Sequence, residues 1–136
     1  MQDDESQHFI GKVAQKVILE HGDEILVCRA PGDLLWEFPG GRLHHGETPQ
    51  KSLNREIYEE LGIRIDAFAP FHVLLSHHVK SNTHRILIVY RAHVDGTVFV
   101  LNQEELEEAR WIPREELRAL SLYDDCREAA YVFLGL

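Results

Sequence analysis

The stretch from Gly41 to Ile63 reads Gly-Arg-Leu-His-His-Gly-Glu-Thr-Pro-Gln-Lys-Ser-Leu-Asn-Arg-Glu-Ile-Tyr-Glu-Glu-Leu-Gly-Ile. It predicts one well-delimited helix. Thr48 is placed to cap the first turn, and Pro49 follows at the first helical position, where its missing N–H costs nothing. Leu53, Ile57 and Leu61 recur every four residues and form an apolar stripe for a core. Gly62 then supplies the left-handed stop. On that helix Glu56, Glu59 and Glu60 stand at i, i+3 and i+4, so they share one face beside the stripe. Neighbouring carboxylates repel and weaken the helix unless a cation lies among them. Hard oxygen ligands on a rigid face suit Mg²⁺ or Mn²⁺. A solvated acidic face is the plain alternative for three glutamates alone. Two neighbours argue against it. Arg55 can hold a carboxylate such as Glu47 in a fixed geometry. The Pro39-Gly40-Gly41 turn lets the backbone come close and offer a carbonyl to a metal.

Working outward, residues 9–19 read as a strand, His21-Gly22-Asp23 as a turn and residues 24–30 as a second strand. Pro31-Gly32-Asp33 breaks it, and residues 34–41 read as a loop. Beyond the helix, residues 63–79 and 84–94 read as strands. The run Ile86-Leu87-Ile88-Val89-Tyr90 is apolar on both faces, as in a central strand. Asp95-Gly96 signals a hairpin leading to a strand over 97–101. Residues 110–112 read as a short strand, 113–120 as a short helix and 124–134 as a last helix. Strands interleaved with helices predict an α/β sandwich with a mixed sheet, as a single domain over residues 1–136 with about 1–7 flexible.

The chain has 136 residues, 44% hydrophobic and 27% charged, an ordinary globular composition. With 14 basic and 23 acidic residues its net charge is −9, which disfavours broad binding to DNA, RNA or an anionic membrane. A small polyanion remains open to it when metal cations bridge the like charges. No apolar run approaches the roughly 18 residues a spanning helix needs. The acidic start, Met1-Gln2-Asp3-Asp4-Glu5, is unlike a secretory or transit signal. Cys28 and Cys126 are too few for a disulfide framework, so the expected setting is reducing and cytoplasmic.

The central segment resembles the Nudix box, G-x5-E-x7-R-E-U-x-E-E-x-G-U, with U aliphatic. Gly41, Glu47, Arg55, Glu56, Ile57, Glu59, Glu60, Gly62 and Ile63 match every constrained position. Chance agreement at one register is on the order of 10⁻⁹. Residues 36–41 before the box and 110–112 after it also resemble the family. The resemblance implies a Nudix-type α/β/α sandwich with a catalytic loop–helix–loop. It also implies a divalent-metal-dependent pyrophosphohydrolase that cleaves the diphosphate of a nucleoside di- or triphosphate derivative by water attack on phosphorus. Carried over by position, Glu56, Glu59 and Glu60, with the carbonyl of Gly40, become metal ligands for Mg²⁺ or Mn²⁺. Glu47 and Gly41 become supports, and Arg55 holds the ligands. Glu59, Glu60, Arg55 and Glu105 are the catalytic candidates. A box glutamate or a loop glutamate takes the proton of the water, with Glu105 the first loop choice and Glu104 the second.

For substrate contacts the resemblance points to Arg29, at the end of the second strand, with Arg42 and Arg85 as weaker candidates of the same kind. A strand-end surface arginine is the plain reading of Arg29. Trp36 and Phe38 can stack a base or pack the loop. His44 and His45 read as solvated loop histidines, and His77 and His78 cannot easily share one metal, because adjacent strand residues point to opposite faces. Tyr123, Tyr131 and Phe133 read as core. The expected partner is a small nucleotide, with no stable nucleic acid and no membrane, and homodimerisation is not legible. The competing reading is a non-catalytic Nudix-fold module that binds a nucleotide or a partner. Intact box carboxylates argue against it.

Overall fold

A computed structural model describes residues 5–66, 68–78 and 81–136. Part of the flexible N-terminal expectation, residues 1–4, and the end of the 63–79 strand expectation, Val79, lie outside the described residues. Residues 5–7 form a single 3-10 turn.

Six strands form one mixed sheet. β1 (Lys12–His21) and β2 (Glu24–Arg29) meet at the tight turn around Gly22, and β3 (Gly40–Arg42) follows. Helix α1 (Pro49–Leu61) leads to β4 (Phe68–His78) and β5 (Thr83–His93), then β6 (Glu108–Pro113) and helix α2 (Asp124–Leu134). The order is β4-β5-β1-β2-β6, with β3 also paired to β1. β1 and β5 run parallel from Lys12↔Arg85 to Glu20↔His93, and the other pairings are antiparallel.

Alternation along the strands builds two cores. Ile18 of β1 faces Cys126, Ala129, Ala130 and Phe133 of α2, together with Val27 and Leu87. Val17 and Leu19 face the opposite way, onto Leu53, Ile57 and Leu61 of α1. The result is the α/β/α arrangement expected from the sequence. Cys28 and Cys126 are free, buried and assigned to opposite cores.

Three elements differ from the sequence reading. Residues 97–101 form no strand. Their segment instead crosses the end of α1, where the Val100 N–H donates to the Leu61 carbonyl at 2.8 Å and the Asn102 N–H to the Glu60 carbonyl at 2.9 Å. Carbonyls left open at a helix C-terminus are thereby satisfied, and the segment's N–H groups are lost to the sheet. The 34–41 loop is not free of the sheet. Cys28 and Glu37 exchange backbone hydrogen bonds of 2.9 and 2.8 Å, the Val17 N–H donates to the Pro39 carbonyl at 3.0 Å, and Gly40 and Gly41 lie in β3. The short helix after Pro113 is a 3-10 segment over Arg114–Arg118. Among the aromatics assigned to the core, Phe133 is buried and Tyr131 is exposed.

Candidate active site

The site is built on the joint between β3 and α1. Thr48 caps α1, its hydroxyl accepting the Lys51 N–H at 3.3 Å, and Gly62 ends it in a left-handed conformation. Gln15 of β1 fixes the helix start to the sheet. Its buried amide donates to the Pro49 carbonyl at 3.0 Å, while its oxygen accepts the Tyr90 hydroxyl at 2.7 Å. The helix cannot slide without breaking this link, so its carboxylates have a fixed origin.

Glu56, Glu59 and Glu105 each bring a carboxylate oxygen within 4.8 Å of the others. The first two come from α1 and the third from the loop before β6. Like charges this close are costly without a counter-charge, and a hard divalent cation fits the all-oxygen set. The Glu105 carboxyl is raised above its ordinary value by burial and by the charges of Glu56 and Glu59. Gly41 packs directly beneath Glu56, because a Cβ there would lie 2.6 Å from the carboxyl carbon. Gly40 has a φ of +147°, and a Cβ there would meet the Gln15 carbonyl oxygen at 2.0 Å. Gly40 is therefore required by close approach, and Gly41 leaves the room that the Glu56 carboxylate occupies.

Arg55 holds Glu47 by a two-pronged pair, Nε to Oε2 at 2.7 Å and Nη2 to Oε1 at 2.9 Å. The same guanidinium reaches Glu56 at 3.1 Å and Glu59 at 3.2 Å. The Arg55 hydrogen bond is the main cause that holds the Glu47 carboxyl below its ordinary range. His44 leans on this group, with Nδ1 3.2 Å from Arg55 Nη2.

Glu60 stands apart from the cluster. It is 5% exposed and accepts the Gly40 N–H at 3.3 Å. Burial pushes its carboxyl up to about 8, opposed by Lys16 and reinforced by Glu56, Glu37 and Glu105. The structure thus places Gly40 beside Glu60 through its N–H.

The other sequence candidates separate. Arg29 is committed to Glu107, to Glu108 at 3.3 Å and to the Asp33 carbonyl at 2.8 Å. Trp36 is 7% exposed, with the Arg110 and Arg29 guanidiniums 4.4 and 5.5 Å from its ring centroid. That is packing, and Phe38 is fully buried. Arg42 is exposed on β3. Arg85 pairs with Asp125 at 3.2 Å. His77 stacks on His84 across the β4–β5 hairpin, their ring centroids 4.7 Å apart, and His77 bonds Asn82.

Sequence reasoning missed a cleft of about 920 Å³. Its polar lining includes Lys16, Glu37, Ser76, Arg85, Tyr123 and Asp125, and Leu34, Leu35, Leu74 and Leu75 supply much of the apolar part. Lys16 pairs with Glu37 at 2.7 Å; burial acts to lower the pKa of its ammonium, and Glu37 together with the other acidic groups around it outweighs that and raises it. Asp125 accepts from the Ser76 hydroxyl at 2.7 Å and from Arg85. The available signal was Gln15-Lys16, two polar residues inside an apolar strand. Lys16 of the cleft and Glu56 of the cluster act on the Glu60 carboxyl in opposite directions.

An α/β/α sandwich that aims acidic side chains from a helix and a loop at one point defines a class of phosphate-handling hydrolase folds. Comparison with known proteins places the chain within that class. The NUDIX domain model matches residues 12–133, and the chain belongs to this family of hydrolases acting on phosphoric anhydride bonds. It is 28% identical over 123 residues to the nucleoside triphosphatase NudI of Enterobacter sp. (strain 638), covering 81% of this chain and 87% of that one. It is 40% identical over 50 residues to an RNA pyrophosphohydrolase of Tolumonas auensis, a match that spans 29% of that protein. In fold it is similar to a MutT NUDIX hydrolase from Burkholderia pseudomallei, with TM-score 0.77, 24% identity and coverage of 88% and 95% of the two chains. A MutT protein from Bacillus halodurans gives TM-score 0.79 at 18% identity, covering 92% of this chain and 83% of that one.

Proposed function

We propose that this protein is a cytoplasmic, divalent-metal-dependent pyrophosphohydrolase of small nucleoside di- or triphosphate derivatives. The observation that carries the reading is the convergence of Glu56, Glu59 and Glu105 within 4.8 Å of one another, with Glu56 seated over Gly41. The likeness to a nucleoside triphosphatase, over 81% of this chain and 87% of that one, supports the choice of substrate class.

Glu56 and Glu59 would hold the cation, with Glu60 behind them and the Gly40 backbone alongside. Mg²⁺ or Mn²⁺ bound there withdraws charge from the diphosphate and makes water a better nucleophile. Glu105 takes the proton of the attacking water on a carboxylate oxygen. Arg55 and Glu47 fix the rotamers of Glu56 and Glu59, so little reorganisation accompanies the reaction. The neighbouring cleft, within the usual size of ligand sites, takes the nucleoside end, and exposed Arg42 meets the phosphate chain.

The test is hydrolysis of a panel of nucleoside triphosphates, dinucleotides, sugar nucleotides and 5′-triphosphorylated RNA. Purified protein is assayed with Mg²⁺, with Mn²⁺ and with chelator, beside Glu60→Gln. The expected result is metal-dependent release of pyrophosphate, phosphate or a nucleoside monophosphate from a small nucleotide. Glu60→Gln should slow it at least roughly tenfold, about 1.4 kcal/mol of transition-state stabilisation. Preferred turnover of RNA would overturn the substrate class. Nucleotide affinity without turnover of any compound would replace the enzyme by a binding module.

A further inference from the structure

Glu105 sits on the only part of the carboxylate cluster that is not helical. Something must hold that loop where its charge is repelled by Glu56 and Glu59. Two anchors are backbone and core. The Asn102 N–H donates to the Glu60 carbonyl, and the Glu105 and Leu106 N–H groups both return to the Asn102 carbonyl, at 3.0 and 2.9 Å. Leu106, at 3% exposed, is buried in the α1-side core.

The third anchor is Arg29 at the end of β2. Its carbonyl accepts the Glu107 N–H at 2.8 Å, and its guanidinium binds the Glu107 carboxylate and, at 3.3 Å, that of Glu108. The guanidinium is itself held by the Asp33 carbonyl and lies 5.5 Å from the Trp36 ring centroid. An exposed ion pair contributes little to global stability. A planar fork that is preorganised on an aromatic ring and grips two adjacent carboxylates restricts a loop far more effectively than it stabilises a fold. It also offsets two of the negative charges in a loop that runs Glu104-Glu105-Leu106-Glu107-Glu108 beside an acidic helix face.

We infer that Arg29 is a positioning residue, which clamps Glu107 and Glu108 and so holds Glu105 against Glu56 and Glu59, rather than a contact for substrate phosphate. Its catalytic meaning rests on the hydrolase reading above.

A double-mutant cycle of Arg29→Gln with Glu105→Gln tests it, read by Mn²⁺ binding, by kcat and KM, and by hydrogen exchange at the amides of residues 102–108. Each single variant should weaken Mn²⁺ about tenfold, the usual scale for groups that orient ligands. The double variant should be no weaker than Glu105→Gln alone, because a clamp with nothing to position has no further effect. kcat should fall with KM nearly unchanged, Arg29→Lys should recover part of it, and exchange over 102–108 should accelerate. Glu107→Gln should reproduce the exchange change from the other end of the clamp. A rise in KM alone, additive with Glu105→Gln, would make Arg29 a substrate contact and overturn the inference. So would unchanged exchange over the loop. If wild type neither binds Mn²⁺ nor turns over, the hydrolase reading falls, and the exchange measurement still decides whether Arg29 holds the loop.

Discussion

The Glu56 carboxylate occupies the space where residue 41 would carry its first side-chain carbon, 2.6 Å from the position of that absent Cβ. Gly41 is thus part of the seat of Glu56, although it offers no functional group. The atoms in conflict are the far end of a flexible side chain, so a substitution displaces the carboxylate at little cost to folding. Gly41→Ala should lower kcat by about tenfold or more and weaken Mn²⁺ comparably, with the melting temperature within about 3 °C of wild type. Calorimetric Mn²⁺ titration beside a thermal melt checks this. Unaltered metal affinity would show that Glu56 does not need this seat.

Arg55 engages both oxygens of Glu47, through two nitrogens at 2.7 and 2.9 Å. A lysine keeps the charge and cannot form the fork. Arg55→Lys should therefore reduce kcat by about tenfold while the protein remains folded. Steady-state kinetics and circular dichroism distinguish this from simple unfolding. Full activity would reduce Arg55 to a source of charge.

The Glu60 carboxyl is held at about 8 by burial, whereas an unfolded chain loses that proton near 4.5. The sign follows directly. The contribution to stability is whole below about 4.5 and falls as pH rises towards 8, because the unfolded state ionises first. In protein stripped of metal, the melting temperature should drop between pH 5 and 8 more steeply for wild type than for Glu60→Gln. Lys16, Glu37, Glu56 and Glu105 are common to both proteins, so the difference isolates Glu60. Parallel slopes would remove it as the titrating group.

Asn54 lies in the same helix but points away from chemistry. Its amide donates to the Ile65 carbonyl at 2.8 Å and accepts the Ile65 N–H at 3.0 Å, tying the chain after Gly62 back to α1. Asn54→Ala should cost about 2 kcal/mol and lower the melting temperature by roughly 7 °C. kcat at 25 °C should be unchanged. A large loss of activity without loss of stability would contradict the structural role.

The α1 segment was legible because its signals are local. The Thr48 cap, the Leu53/Ile57/Leu61 stripe and the Gly62 stop concern residues within one or two turns, and α1 has the bounds they imply. The Arg55–Glu47 pair was legible for the same reason. Elsewhere the local pattern misled. Val98 and Val100 alternate as a strand would, yet both are exposed, because the end of α1 offered their segment carbonyl partners nearer than any strand edge. Trp36 and Arg29 suggest ligand contacts by their chemistry; in the structure the Arg29 guanidinium lies near the Trp36 ring and pairs with Glu107 and Glu108, contacts that no local pattern announces.

The sequence by itself determined the family, the helix and the face that Glu56, Glu59 and Glu60 share, since all follow from fixed spacings along a regular backbone. Tertiary structure alone decided that Glu105 joins Glu56 and Glu59 while Glu60 is buried against the Gly40 N–H. The spacing of α1 places all three helix carboxylates within about 100° of arc. Which of them meets solvent, a loop or the sheet depends on where β1, β3 and the 102–108 loop pack against the helix. Those contacts join residues tens of positions apart, and no local period in the chain encodes them.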